Sequence, residues 1–160
     1  MRSLAVSVTA MSVTAVALVG CGGGHEPQPT AVSSRQWRAN AAVIVRQLQG
    51  DIAATQVSGE TVEAARAALH DESSLYGLLV SYSDFAGCRE MVMAAGPVPP
   101  PEARADRLLV SSCRHLERAS TLFTRAVRRN DGASLLAATR ESGRALEPLV
   151  RAAAAVGGPR

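Results

Sequence analysis

The chain has 160 residues, 47% of them hydrophobic, with 17 basic residues against 14 acidic ones and a net charge of +3. Every basic residue is arginine, and the aromatics are only Trp37, Tyr76, Tyr82, Phe85 and Phe123. So few rings exclude an aromatic-rich β-sandwich and argue for an aliphatic, alanine-lined core of closely packed helices. The charge is polarised: residues 21–103 carry five Arg and nine acids, residues 104–160 eleven Arg and five acids.

Met1-Arg2-Ser3 is a short cationic start, and Leu4 to Val19 is an uncharged run of Ala, Val, Leu, Ser and Thr. That is the layout of a secretory signal, too short and too hydroxyl-rich for a membrane-spanning helix. Leu18-Val19-Gly20-Cys21 follows, and it resembles the lipobox of bacterial lipoproteins. The resemblance covers only this leader. It implies diacylglyceryl transfer to the thiol of Cys21, cleavage before it, and residence at the cell membrane on the extracytoplasmic face, or at an outer membrane if there is one. Residues 1–20 are then the signal peptide, 21–32 a flexible tether and 33–160 the folded domain. Gly22-Gly23-Gly24-His25-Glu26-Pro27 shows no apolar period, and a tether of about eleven residues spans roughly 18 Å.

Ser33 or Ser34 can cap a first helix whose inner face is Trp37, Ala41, Ile44, Val45, Leu48 and Ile52. Ser58-Gly59 ends it, and Glu60 and Glu63 suit the first turn of the next. Residues 60–95 carry two apolar stripes. Val62, Ala65 and Leu69 point one way; Leu75, Leu78, Leu79, Tyr82, Phe85, Ala86 and Met93 point another. A straight helix cannot bury both, so a break is expected at residues 70–74, with Asp71 or Ser73 as cap.

Gly96-Pro97-Val98-Pro99-Pro100-Pro101 is a firm stop, with Pro101 placed to begin the next helix. Residues 102–129 read as a long amphipathic helix with Leu109, Cys113, Leu116, Ser120, Phe123 and Val127 inward. Asn130-Asp131-Gly132 ends it, and Gly132 can take the left-handed conformation there. A last helix over 133–155 should bury Leu135, Leu136, Thr139, Leu146, Leu149, Val150 and Ala153, and Pro148 should bend it. The fold class is therefore all-α, an up-and-down four-helix bundle with its second helix broken.

With Cys21 assigned to lipid, Cys88 and Cys113 remain, and export favours a disulfide between the second and third helices. Pairing 88 with 113 puts the hairpin midpoint at Pro100-Pro101, where the prolines independently place the turn. The same register separates His70 from His115 by roughly 27 Å, so the two cannot share a metal. His70-Asp71-Glu72 is better read as a solvated cap than as a metal site, and His115 with Glu117 lacks ligand spacing. Tyr76, Tyr82 and Asp84 could line a small pocket, although an inward Tyr82 in the core is the commoner arrangement. No nucleophile elbow, P-loop, dinucleotide motif or Cys-x-x-Cys occurs, and no catalytic, metal or cofactor residue is assigned.

The outstanding feature is the outer face of the third helix, where Arg104, Arg107, Arg114, Arg118, Arg125, Arg128 and Arg129 fall within about 60° of one direction. Arg140, Arg144 and Arg151 repeat the pattern on the last helix. Such a ridge fits contact with lipid head groups, an anionic envelope polymer or an acidic protein. The plainer reading is a solvated face offset by the acidic first half. Nucleic acid is disfavoured by the compartment and by the lack of rings for base stacking. The sequence thus points to a non-enzymatic, membrane-anchored binding or scaffolding lipoprotein. The alternative is a bundle that holds a small ligand between its helices.

Overall fold

The computed structural model describes residues 32–57 and 60–157. The leader, the lipobox with Cys21 and all of the tether but Val32 lie outside the described residues, as does Ser58-Gly59. Every regular element among the described residues is helical: α1 (Ser34–Ala54), α2 (Val62–His70), α3 (Glu72–Ala86), α4 (Cys88–Met93), a 3-10 turn (Pro100–Glu102), α5 (Ala103–Arg129), α6 (Gly132–Arg144) and α7 (Leu146–Gly157). They form a helical bundle built on α5, which packs against α3 and α4 on one flank and α6 and α7 on the other. α1 packs against α3 and α7, and α2 lies on α6.

Caps fix the starts. Ser33 accepts from the Gln36 amide at 3.2 Å, Thr61 from Ala64 at 3.1 Å and Asp71 from Ser74 at 2.8 Å. Asp71 therefore restarts the chain at the expected break, and α2 and α3 each keep their own apolar face. Glu63 falls in the first turn of α2, but Glu60 lies ahead of its cap. Pro101 sits in the 3-10 turn, and α5 starts at Ala103.

The six apolar residues expected on the inner face of α1 are all buried. Farther on, the straight-helix wheel misjudges several positions. Leu79, Ala86, Met93 and Val127 are exposed, and Ser120 is only half-buried. Apart from Tyr82 and Cys113, which are buried beside the stripe, the buried residues step by threes and fours: 78, 81, 85, 88, 92 and 95 on one run, and 105, 109, 112, 116, 119, 123 and 126 on α5. The expected face of α5 (109, 113, 116, 120, 123 and 127) has the same three-and-four spacing, so the period stands and only the face is turned, with 112, 119 and 126 buried where 120 and 127 were expected. Residues 79, 86 and 93 stand one position beyond the stripe.

The last helix is two helices. Pro148 has no amide hydrogen for the Arg144 carbonyl, and a proline is tolerated in the first turn of α7. The chain turns at Ala145, which is fully buried, and Ser112 of α5 donates to its carbonyl at 3.0 Å. Rephasing at this joint leaves Leu146 and Val150 exposed, whereas both were expected inside. The residue with positive φ after α5 is Asn130, at 49°, and not Gly132. Gly132 opens α6 instead, against α2, where a Cβ would stand 2.3 Å from the Val62 carbonyl oxygen.

Cys88 and Cys113 form a disulfide across 25 residues of sequence, tying the start of α4 to α5. Closing a loop of that length stabilises by about 3–3.5 kcal/mol in the chain-entropy account. Beside it, Tyr82 stacks on Phe123 with ring centroids 4.3 Å apart and meets Phe85 edge-on at 5.3 Å.

Candidate functional site

The seven arginines of α5 are all exposed on the side away from its buried stripe. Arg118 alone reaches a carboxylate, that of Glu141, at 3.7 Å. Among the described residues no carboxylate lies within 4.0 Å of Arg104, Arg107, Arg114, Arg125, Arg128 or Arg129. The offset by the acidic first half is not made at ion-pair distance among these residues. Glu102 is taken by Arg38 at 3.0 Å, and Asp84 accepts from Gln47 at 3.1 Å. Glu117, on α5 itself, pairs with Arg89 of α4 at 2.8 Å and leaves Arg114 beside it uncompensated.

Three open clefts meet along this face. One of about 480 Å³ is lined by Arg89, Arg114, Glu117, Arg118 and Thr121. A second, about 440 Å³, lies between Thr121, Thr124, Arg125, Arg128 and Arg129. The third, about 370 Å³, has Arg118, Thr121, Leu122 and Glu141 around it. Thr121 borders all three. Guanidinium forks beside hydroxyls suit oxyanions such as carboxylate, phosphate and sulfate, which accept several donors at once.

Glu141 is the residue that sequence reasoning missed. Its residue is 7% exposed, yet it accepts from His115 Nδ1 at 2.7 Å and from Arg144 Nη1 at 2.8 Å, with Arg118 close by. Burial opposes its ionisation, but the hydrogen bonds from His115 and Arg144 and their charges outweigh that and hold its carboxyl below the ordinary value. The signal was available. Glu141 stands at a core-spaced position of α6, after Leu135 and Ala138, and a buried acid requires cationic partners. Its effect is to anchor Arg118 in the middle of the ridge and to occupy His115. On the last helices Arg140 is exposed, and Arg151 reaches Glu147 at 3.6 Å.

The remaining sequence candidates separate. His70 is exposed at the end of α2, and the adjacent Asp71 serves as a cap. No group of three metal-ligating side chains occurs among the described residues. Tyr76 is exposed and Tyr82 buried, while Asp84 turns to Gln47 of α1, so the three do not line one pocket. Burial raises the Tyr82 pKa. Thr139, Thr55 and Ser142 lie near enough to its hydroxyl to oppose that slightly, although none makes a well-aligned hydrogen bond with it. Thr55 and Ser142 bond each other at 3.1 Å instead. Comparison with protein-family models, curated proteins and solved structures finds no match.

Proposed function

We propose that the protein is an extracytoplasmic lipoprotein, anchored to the membrane through lipid on Cys21, that acts as a non-enzymatic binding or scaffolding module. Its contact surface is the α5 ridge, and its partner is an anionic envelope component or an acidic protein. The observation that carries this reading is the run of exposed arginines with no described carboxylate at ion-pair distance. Like charges at Arg114/Arg118 and Arg125/Arg129 each cost an isolated helix about 0.2–0.5 kcal/mol. An external anion relieves that repulsion.

The same reading takes the chain as four antiparallel runs: α1, then α2 to α4, then α5, then α6 and α7. Two contacts support the first pair. Gln47 meets Asp84, while Asn40, earlier on α1, meets the carbonyl of Ala95, later on the second run, at 3.2 Å. Asn130 reverses the chain between α5 and α6.

The test is photocrosslinking in cells from positions 114, 121 and 125, with positions 43 and 150 as exposed comparisons. The expected result is an acidic protein or polymer trapped from the ridge and not from the comparison positions. Equal, nonspecific yields from all five would overturn the ridge as a contact surface. A mature N-terminal peptide carrying unmodified Cys21 would overturn the anchor.

A further inference from the structure

The corner between α4 and α5 carries a groove of about 730 Å³, with Val92, Met93, Gly96, Pro97, Val98 and Val110 among its lining residues. Met93 is 68% exposed and Val98 39% exposed at its lip. Met93 at the end of α4 and Val98 on the proline-stiffened turn form a small apolar surface that water does not favour. The place where the described chain begins is at the same corner. Val32 sits against Gly96, where a Cβ would stand 2.8 Å from Val32 Cγ2. The ion pair of Arg38 with Glu102 and the hydrogen bond from Asn40 to Ala95 bring the start of α1 to this end of the bundle too.

We infer that this corner is the bilayer-docking end of the domain: Met93 and Val98 enter the interfacial layer, and the exposed Arg104 and Arg107 of the first turns of α5 meet lipid phosphates. The inference rests on the lipid anchor at Cys21 proposed above. Cys21 precedes Val32 by eleven residues, and a chain of that length spans at most about 40 Å in any conformation, so an anchor at Cys21 ties the corner beside Val32 near the head groups. The groove itself carries Glu90, Asp106 and an Arg89 already paired with Glu117, so the cationic contact is left to Arg104 and Arg107, exposed on the opening turns of α5. An apolar tip with exposed arginines on the adjoining helix suits an anionic leaflet.

Docking by this end also divides the ridge. Arg104 and Arg129 are separated by 25 residues of helix, about 38 Å, so the distal arginines stand away from the lipid. Arg125, Arg128 and Arg129 are then left for an anionic partner that is not the bilayer.

The experiment uses the lipidated chain in vesicles of phosphatidylglycerol and phosphatidylethanolamine, with a photoreactive benzoylphenylalanine replacing Met93, Val98, Val43 or Val150 in turn. Val43 and Val150 are 54% and 55% exposed, so exposure alone does not separate the sets. Lipid adducts at 93 and 98 several-fold above those at 43 and 150 are expected. Equal yields at all four positions, or adducts at 43 or 150 in their place, would overturn the inference. Mass measurement of the N-terminal peptide is made first. A lipid on Cys21 with no adduct at 93 or 98 sinks the docking end alone, and a bare Cys21 removes the reading beneath it as well.

Discussion

Glu141 shows how a single side chain can set the electrostatics of a surface. Its oxygens take His115 and Arg144 directly and hold Arg118 nearby, so three cationic or cation-forming groups converge on one carboxylate. Its folded-state pKa lies below the ordinary value of 4.5, after burial has been outweighed by these partners. A depressed carboxyl contributes stability that is fully present above the unfolded value and is lost as pH falls through the folded value. Glu141→Gln should therefore destabilise by about 1–2 kcal/mol near pH 7, a figure held down because both arginine ends are largely exposed. The deficit should shrink once the wild-type carboxyl is itself protonated in acid. Urea midpoints at pH 7 and pH 3 measure this. An equal deficit at both would mean that shape, and not charge, explains the residue.

At the scale of elements, what was legible in the sequence is what local chemistry decides. Ser33, Asp71 and the Pro97–Pro101 turn announce their boundaries through caps and missing amides, and the break between α2 and α3 follows from two stripes that one helix cannot bury. The joint at Ala145 was only half legible. Pro148 forecasts a disturbance, but its location goes with a contact remote in sequence, the Ser112 hydroxyl of α5 donating to the Ala145 carbonyl that also accepts the Leu149 amide. Gly132 was misjudged for a similar reason. Its freedom from a side chain serves close packing on α2, and a neighbour in space cannot be read from residues 130–133. Gly132→Ala should destabilise by about 1–3 kcal/mol, because the new methyl meets backbone atoms of Val62 and Arg66. Gly50→Ala, on the exposed face of α1 toward its end with nothing within 4 Å, should instead stabilise by about 0.5–1 kcal/mol. Thermal melts of the two variants compare them directly, and destabilisation by both would contradict the packing argument.

For the molecule as a whole, periodicity gave the helical class and cysteine parity gave the disulfide. The inner limits of the core were harder to read. A shift of one position within the same repeat moves Leu79, Met93 and Val127 from inside to outside. Those moves have consequences, since Met93 becomes part of the corner beside Val32, where the described residues begin. The ridge itself was fully visible as a charge pattern. That, of its arginines, only Arg118 has a carboxylate at ion-pair distance among the described residues was not, because it depends on where the fold sends the acids, as it gives Glu102 to Arg38 and Glu117 to Arg89.

The direct test of the ridge is salt-dependent retention of the helical unit Ala31–Arg160, which has its own core, on an immobilised acidic polymer. Wild type should be held at about 50 mM salt and released well before 300 mM, as screening shortens the reach of surface charge. Arg114→Glu, Arg118→Glu and Arg125→Glu together should abolish retention, while reversal of Arg46 and Arg66, arginines outside the ridge, should leave most of it. Retention of the ridge variant equal to that of wild type would contradict the account.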